Sequence, residues 1–210
     1  MLTAETCLKH YRINEIFYSI QGEGFHAGRA AIFVRFTGCN LRCAMAEGLL
    51  SPGGFNCDTE FTSGRTMIAS EIADEARRLA PDCNWLIATG GEPLLQLDAM
   101  LIGALHASGF KVAVETNGTQ SIPDGIDWIT LSPKVAEHAV VPAKVDELKY
   151  VRGTGQAIPK PAALADHYYI SPAFDGDRPD PAAITHCVRL IKENPSWRLT
   201  LQLHKLLMVR

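Results

Sequence analysis

The stretch that decides the architecture reads Ala30-Ala31-Ile32-Phe33-Val34-Arg35-Phe36 and continues as Thr37-Gly38-Cys39-Asn40-Leu41-Arg42-Cys43. Its first seven residues are apolar apart from one arginine and rich in branched and aromatic side chains, as in a strand buried on both faces of a parallel sheet. A glycine and two cysteines then follow where that strand must end. Working outward, comparable apolar runs recur at 85–89, 111–116, 127–132, 147–151, 168–171 and 198–204, with an extended stretch at 12–19 ahead of them. Helical patterns lie between several of these runs: 67–80 with Thr66 as N-cap, 97–108 ending at Gly109, and 182–193 stopped before Pro195.

Strands alternating with helices imply an α/β fold with a mostly parallel sheet, and right-handed crossovers of one sense curl such a sheet toward a barrel. A closed eight-unit barrel usually takes about 250 residues, so these 210 residues fit a partial, open βα barrel. A doubly wound open sheet is the runner-up. Either way, ligands belong at the C-terminal ends of the strands. Residues 1–210 read as one domain, with two loops rich in glycine and proline at 44–56 and 173–181.

Twenty basic and 23 acidic residues leave a net charge of −3, which gives no electrostatic footprint for nucleic acid or an anionic membrane. No run has the length of a signal-peptide core or a transmembrane helix. The expectation is a cytoplasmic protein acting on a small molecule.

In that compartment six cysteines point to metal or redox chemistry rather than disulfides. Cys39, Cys43 and Cys57 are spaced C-x3-C-x13-C, and the thirteen intervening residues are the 44–56 loop. Three thiolates leave one iron of a 4Fe–4S cluster without a protein ligand, whereas an electron-carrying cluster usually takes four. The competing reading is a structural zinc site completed by Cys83 or a histidine. Cys7, Cys83 and Cys187 read as small buried residues, and the histidines other than His204 carry no ligand spacing. Trp85, Trp128 and Trp197 read as core.

Two further motifs carry chemistry. Gly90-Gly91-Glu92-Pro93 sets two residues without Cβ at a strand end, where backbone can approach a ligand, and a carboxylate beside them. Tyr18-Ser19-Ile20-Gln21-Gly22-Glu23-Gly24 joins an amide and a carboxylate to two glycines, a composition suited to a polar heterocycle or simply to a hairpin loop.

Together these segments resemble the 7-carboxy-7-deazaguanine synthase family of the radical S-adenosylmethionine (SAM) superfamily. The resemblance runs on through Cys57-Asp58-Thr59, Glu115-Thr116-Asn117-Gly118, Ser132-Pro133-Lys134, Glu147-Leu148-Lys149 and Leu201-Gln202-Leu203-His204-Lys205. The superfamily's usual spacing is C-x3-C-x2-C, so residues 44–56 are an insertion within the cluster motif. The resemblance implies a radical SAM domain that converts 6-carboxy-5,6,7,8-tetrahydropterin to 7-carboxy-7-deazaguanine with loss of ammonia. It further implies a 4Fe–4S cluster, SAM, Mg2+, an electron donor such as flavodoxin, and a homodimer.

Carried over by position, Ile20, Gln21, Gly22, Glu23, Arg35, Thr89, His204 and Arg210 contact the pterin, with Arg35 on its carboxylate. Arginine suits that task because its planar fork can bond both oxygens, and a charge inside an otherwise apolar strand needs a partner. Asn56, Cys57, Asp58, Gly91, Glu92, Ser132, Pro133, Lys134 and Ser171 contact SAM, although the family often has Gln-Pro where this chain reads Ser171-Pro172. Thr59 contacts Mg2+. No residue is implied as a dedicated acid or base. The alternatives that share the cysteine motif are a glycyl-radical activase and a non-catalytic zinc or Fe–S binding protein.

Overall fold

The computed structural model describes residues 8–41, 43, 57, 59–175 and 178–210. In chain order the elements are β1 (His10–Ile20), β2 (Ala30–Phe36), β3 (Arg65–Ile68), α1 (Ala69–Leu79), β4 (Trp85–Gly90), α2 (Ala99–Ala107), β5 (Lys111–Thr116), β6 (Trp128–Leu131), β7 (Lys144–Arg152), β8 (Leu164–Pro172), β9 (Phe174–Asp175), β10 (Arg178–Pro179), α3 (Pro181–Glu193), β11 (Trp197–Leu199) and α4 (Leu203–Leu206).

Nine strands form one sheet in the order β11-β8-β7-β6-β5-β4-β2-β1-β3. The seven from β2 to β11 are mutually parallel, and β1 pairs antiparallel with both β2 and β3. Each parallel strand is added beside its predecessor, with none of the order reversal that defines a doubly wound sheet. The outer strands β11 and β3 do not pair with each other. This is the open α/β barrel expected from the sequence.

Residue alternation sorts the sheet into two faces. Ile32, Val34, Phe36, Leu86, Ala88, Val112 and Val114 are buried with Ile72, Ala76, Leu101 and Leu105 of α1 and α2. Farther along the sheet, Leu131, Leu148 and Ile170 pack with Cys187 and Leu190 of α3 and with Trp197. The alternate residues Phe17, Ala31, Phe33, Trp85, Ile87 and Ala113 form a separate core on the other face. A register shift in β1 between Ile13 and Glu15 turns Glu15 and Phe17 to that inner face while Tyr11 and Ile13 remain with the helices.

Two expected elements differ. Thr66, Met67 and Ile68 do not open a helix but extend β3 along β1, with Tyr11 opposite Met67. The branched residues favour the sheet, Met67 is buried, and α1 starts only at Ala69, with Glu71 accepting from the Ile68 N–H at 2.9 Å. The last strand stops at Leu199 instead of running to His204. There the backbone leaves the sheet, Leu203 N–H donating to the Gly22 carbonyl at 3.1 Å, and the chain ends in the single turn α4. Within 173–181, β9 and β10 pair as a short ladder. The 44–56 loop lies outside the described residues.

Candidate active site

Along the inner face β2, β4, β5 and β6 change from apolar to polar toward their C-terminal ends. Phe33 gives way to Arg35, Ile87 to Thr89, Ala113 to Glu115, and Trp128 to Thr130 and Ser132. The polar ends line a cavity of about 1060 Å³, which also takes in Cys39, Cys43, Cys57 and Thr59 on one side and Gln202, His204 and Arg210 on another. At the opposite end of these strands lies an aromatic cluster, where Phe25 stacks on Trp128 and His167, and His26 lies against Trp85.

The Gln21-Gly22-Glu23-Gly24 segment belongs to the hairpin loop between β1 and β2, and its first three residues line the cavity. Glu23 pairs with Lys149 at 2.6 Å, their side chains 13% and 8% exposed. Burial pushes the Glu23 carboxyl up, but Lys149, with His204 and Lys134 beyond it, more than offsets this and holds it below its ordinary value. Burial opposes the charge on Lys149, yet Glu23, Glu115 and Glu147 hold its pKa above the usual lysine range. Gln21 donates to Glu115 at 2.9 Å, and Thr89 donates to the other Glu115 oxygen at 3.0 Å. A Cβ on Gly22 would collide with the His204 ring, so loop and C-terminal turn meet in direct contact. Burial lowers the His204 pKa.

Arg35 lines the cavity and donates Nε to Glu15 at 2.9 Å, while Arg210 donates to the second Glu15 oxygen at 2.7 Å. Ser19 donates its hydroxyl to the Arg210 carbonyl. Arg210 is therefore held against β1. Arg35 thus has the partner its strand requires, an acid one strand away.

At the cysteine side, Gly90 has φ 125°, a value open to glycine, and a Cβ on Gly91 would strike the Gly38 carbonyl and come within 3.0 Å of the Cys39 Cβ. Glu92 N–H donates to that same Gly38 carbonyl at 2.9 Å. The Glu92 carboxylate, expected to face the cofactor, turns inward instead. It is fully buried and accepts from Leu94 N–H at 3.1 Å, Thr116 hydroxyl at 2.8 Å and Asn117 N–H at 2.8 Å. Burial still leaves its pKa raised. Asn117 Nδ2 in turn lies 3.9 Å from the Cys39 sulfur.

Burial raises the pKa of Cys39 and of Cys43. Cys83 and Cys187 pack in the cores, away from this cavity; Cys7 lies outside the described residues. Cys43 and Cys57 lie near enough for their charges to add to the rise at Cys39. Three thiolates on one cavity wall have the donor chemistry of a 4Fe–4S group, in which each thiolate binds its own iron.

Of the expected site residues, Ile20, Gln21, Gly22, Glu23, Arg35, Cys39, Cys43, Cys57, Thr59, Thr89, Gly91, Ser132, Pro133, Lys134, Ser171, His204 and Arg210 all line the one cavity. Lys134 donates to Ser132 at 3.0 Å, and Ser171 reaches Glu23 at 3.4 Å. Asn56 and Asp58 lie outside the described residues. Glu115, Lys149 and Asn117 line the cavity without having been expected to. The signal for the first two is a charge inside an apolar strand, the same signal that marks Arg35.

No protein-family model matches the chain. It is 40% identical over 200 residues to the 7-carboxy-7-deazaguanine synthase of Bacteroides thetaiotaomicron, covering 95% of this chain and 98% of that protein. It is 41% identical to those of Bradyrhizobium diazoefficiens (95% and 99% covered) and Bordetella pertussis (93% and 97%). In fold it resembles the crystal structure of QueE from Escherichia coli, with a TM-score of 0.66 at 22% identity over 93% of this chain and 95% of that one.

Proposed function

This chain belongs to the 7-carboxy-7-deazaguanine synthase family, and from that premise we propose that it is a radical SAM lyase. It converts 6-carboxy-5,6,7,8-tetrahydropterin to 7-carboxy-7-deazaguanine with loss of ammonia, in queuosine-type deazapurine biosynthesis. The observation that carries this reading is one cavity lined both by three cysteines and by a buried set of heterocycle-sized polar groups.

Cys39, Cys43 and Cys57 hold the 4Fe–4S cluster, and Asn56 to Asp58, Gly91, Ser132 to Lys134 and Ser171 hold SAM. When bound, cluster and SAM together supply the radical that starts the reaction. The rest falls to this chain's residues, which bind, orient and keep water away. Gln21 and Glu23, backed by Glu115 and Lys149, offer hydrogen bonds of both senses to a pterin edge, with Gly22 allowing close approach. Among the described residues Arg35 bonds Glu15 through its Nε, and the outer edge of its guanidinium takes the substrate carboxylate. Thr89 and His204 close the sides and Arg210 the mouth. Glu92 acts indirectly, holding the turns beside Gly91 and Cys39.

Thr59 on the cavity wall supports a Mg2+ site completed by substrate and solvent oxygens, as that hard ion prefers. The chain works as a single cytoplasmic domain, as a homodimer fed by a flavodoxin-like donor. Among the described residues no helix is long and apolar enough to cross a membrane.

Anaerobic reconstitution with iron and sulfide tests the cluster: the parent turns brown and cleaves SAM to 5′-deoxyadenosine under dithionite, and Cys57→Ala does neither. A colourless parent that retains zinc sinks the proposal. Arg35→Met tests substrate placement. Its KM for the pterin rises about tenfold or more, the loss expected for a charge-assisted hydrogen bond; an unchanged KM removes Arg35 from that role.

A further inference from the structure

Glu147 has no place in the mechanism above and does not line the large cavity, yet it is only 3% exposed. It lies directly behind the substrate loop. One oxygen accepts from Phe25 N–H at 2.9 Å. A Cβ on Gly24, whose φ is 72°, would collide with the same carboxylate. Gly24 N–H is taken by the Thr200 hydroxyl at 2.8 Å, so two successive amides of the loop are pinned, one by β7 and one by the residue after β11.

The pinning bears on substrate because Phe25 is two residues from Glu23, which must meet Lys149 on the same strand as Glu147. Alternation places Glu147 and Lys149 on one face of β7, one behind the other. Fixing Phe25 to the first fixes Glu23 against the second. Glu147 also borders a small void of about 10 Å³ together with Gln21, Glu23, His26, Trp85 and Glu115, on the underside of the loop. Burial pushes its carboxyl up to about 7, which fits a group placed for shape and hydrogen bonding more than for charge.

We propose that Glu147 is a positioning residue: through Phe25 N–H, and against a bare Gly24, it holds the Gln21–Glu23 segment in the geometry that receives the substrate. The substrate part of this inference rests on the reading given under Proposed function.

The test uses the full chain with Glu147→Gln, Glu147→Leu and Gly24→Ala, in two assays. The first is amide hydrogen exchange of residues 22–28, which needs no substrate. Glu147→Leu speeds exchange there about tenfold or more, as loss of a buried hydrogen bond predicts; Glu147→Gln, which keeps an acceptor, stays near the parent. Gly24→Ala also speeds it, because its methyl strikes the carboxylate and its φ of 72° disfavours a side chain. The second is steady-state turnover, where Glu147→Leu raises KM for 6-carboxytetrahydropterin several-fold more than it lowers kcat, and Glu147→Gln restores KM. Unchanged exchange in Glu147→Leu overturns the proposal, as does a fall in kcat at constant KM. If the parent fails to turn over the pterin, the proposed function falls, and the exchange assay still decides whether Glu147 holds the loop.

Discussion

Replacing Lys149 by methionine removes the cation paired with Glu23 at 2.6 Å while keeping most of the side chain's length. The pair is 2.6 Å apart with both side chains nearly buried, and Glu115 and Glu147 also act on the lysine. Deleting one member of such a pair leaves an uncompensated buried charge, at a cost of about 3–5 kcal/mol. The sign of the pH dependence is fixed. In the parent the Glu23 pKa is lowered, so its contribution is present above the unfolded carboxylate pKa and is lost as pH falls. Without Lys149, burial raises that pKa, and the carboxylate destabilises the fold most at high pH. The gap between parent and variant is therefore widest near neutrality and narrows toward pH 5. Urea unfolding of the metal-free chain, followed through Trp85, Trp128 and Trp197, measures it. The double variant Glu23→Gln/Lys149→Met recovers most of the loss. A penalty below about 1 kcal/mol, the level of an exposed pair, or one constant with pH, refutes the reasoning.

Other perturbations probe the surrounding structure. Gly91→Ala pushes a methyl into the Gly38 carbonyl beside Cys39, so iron bound after reconstitution falls to near background; a fully loaded variant contradicts the packing. Asp98→Ala removes the α2 N-cap at Leu101 N–H, the Tyr11 hydroxyl partner and the Lys9 ion pair, and costs about 1–2 kcal/mol by urea unfolding. Glu147 binds its proton up to about pH 7 in the fold and releases it near 4.5 when unfolded, so its contribution to stability falls as pH rises between those values, by about 3 kcal/mol at most. Comparing urea midpoints of the parent and Glu147→Gln from pH 5 to 7.5 isolates that slope, and parallel curves exclude it.

The parallel strands are legible in the sequence because strands covered on both faces read as apolar runs, and Ala30–Phe36 and Lys111–Thr116 match their predicted limits residue for residue. Elements whose fate depends on distant partners are not. Residues 66–68 look like the capped start of a helix alone and become part of a strand because β1 offers an edge. Residues 200–204 look extended and turn away because Thr200 and Leu203 bond to the 22–24 loop. The site shows the same division. Cysteines, glycines and Arg35 announce themselves by type and spacing, whereas the Glu23–Lys149 pair joins residues 126 positions apart. The inward turn of Glu92 is equally hidden, since a carboxylate beside two glycines reads as ligand-facing until its three donors are known.

The most direct test of the central claim is the product itself. The reconstituted chain is incubated anaerobically with SAM, dithionite, Mg2+ and 6-carboxytetrahydropterin, and the mixture is read by mass spectrometry. The account predicts 7-carboxy-7-deazaguanine from the parent and none from Cys57→Ala. Cleavage of SAM to 5′-deoxyadenosine without that product would contradict the substrate assignment.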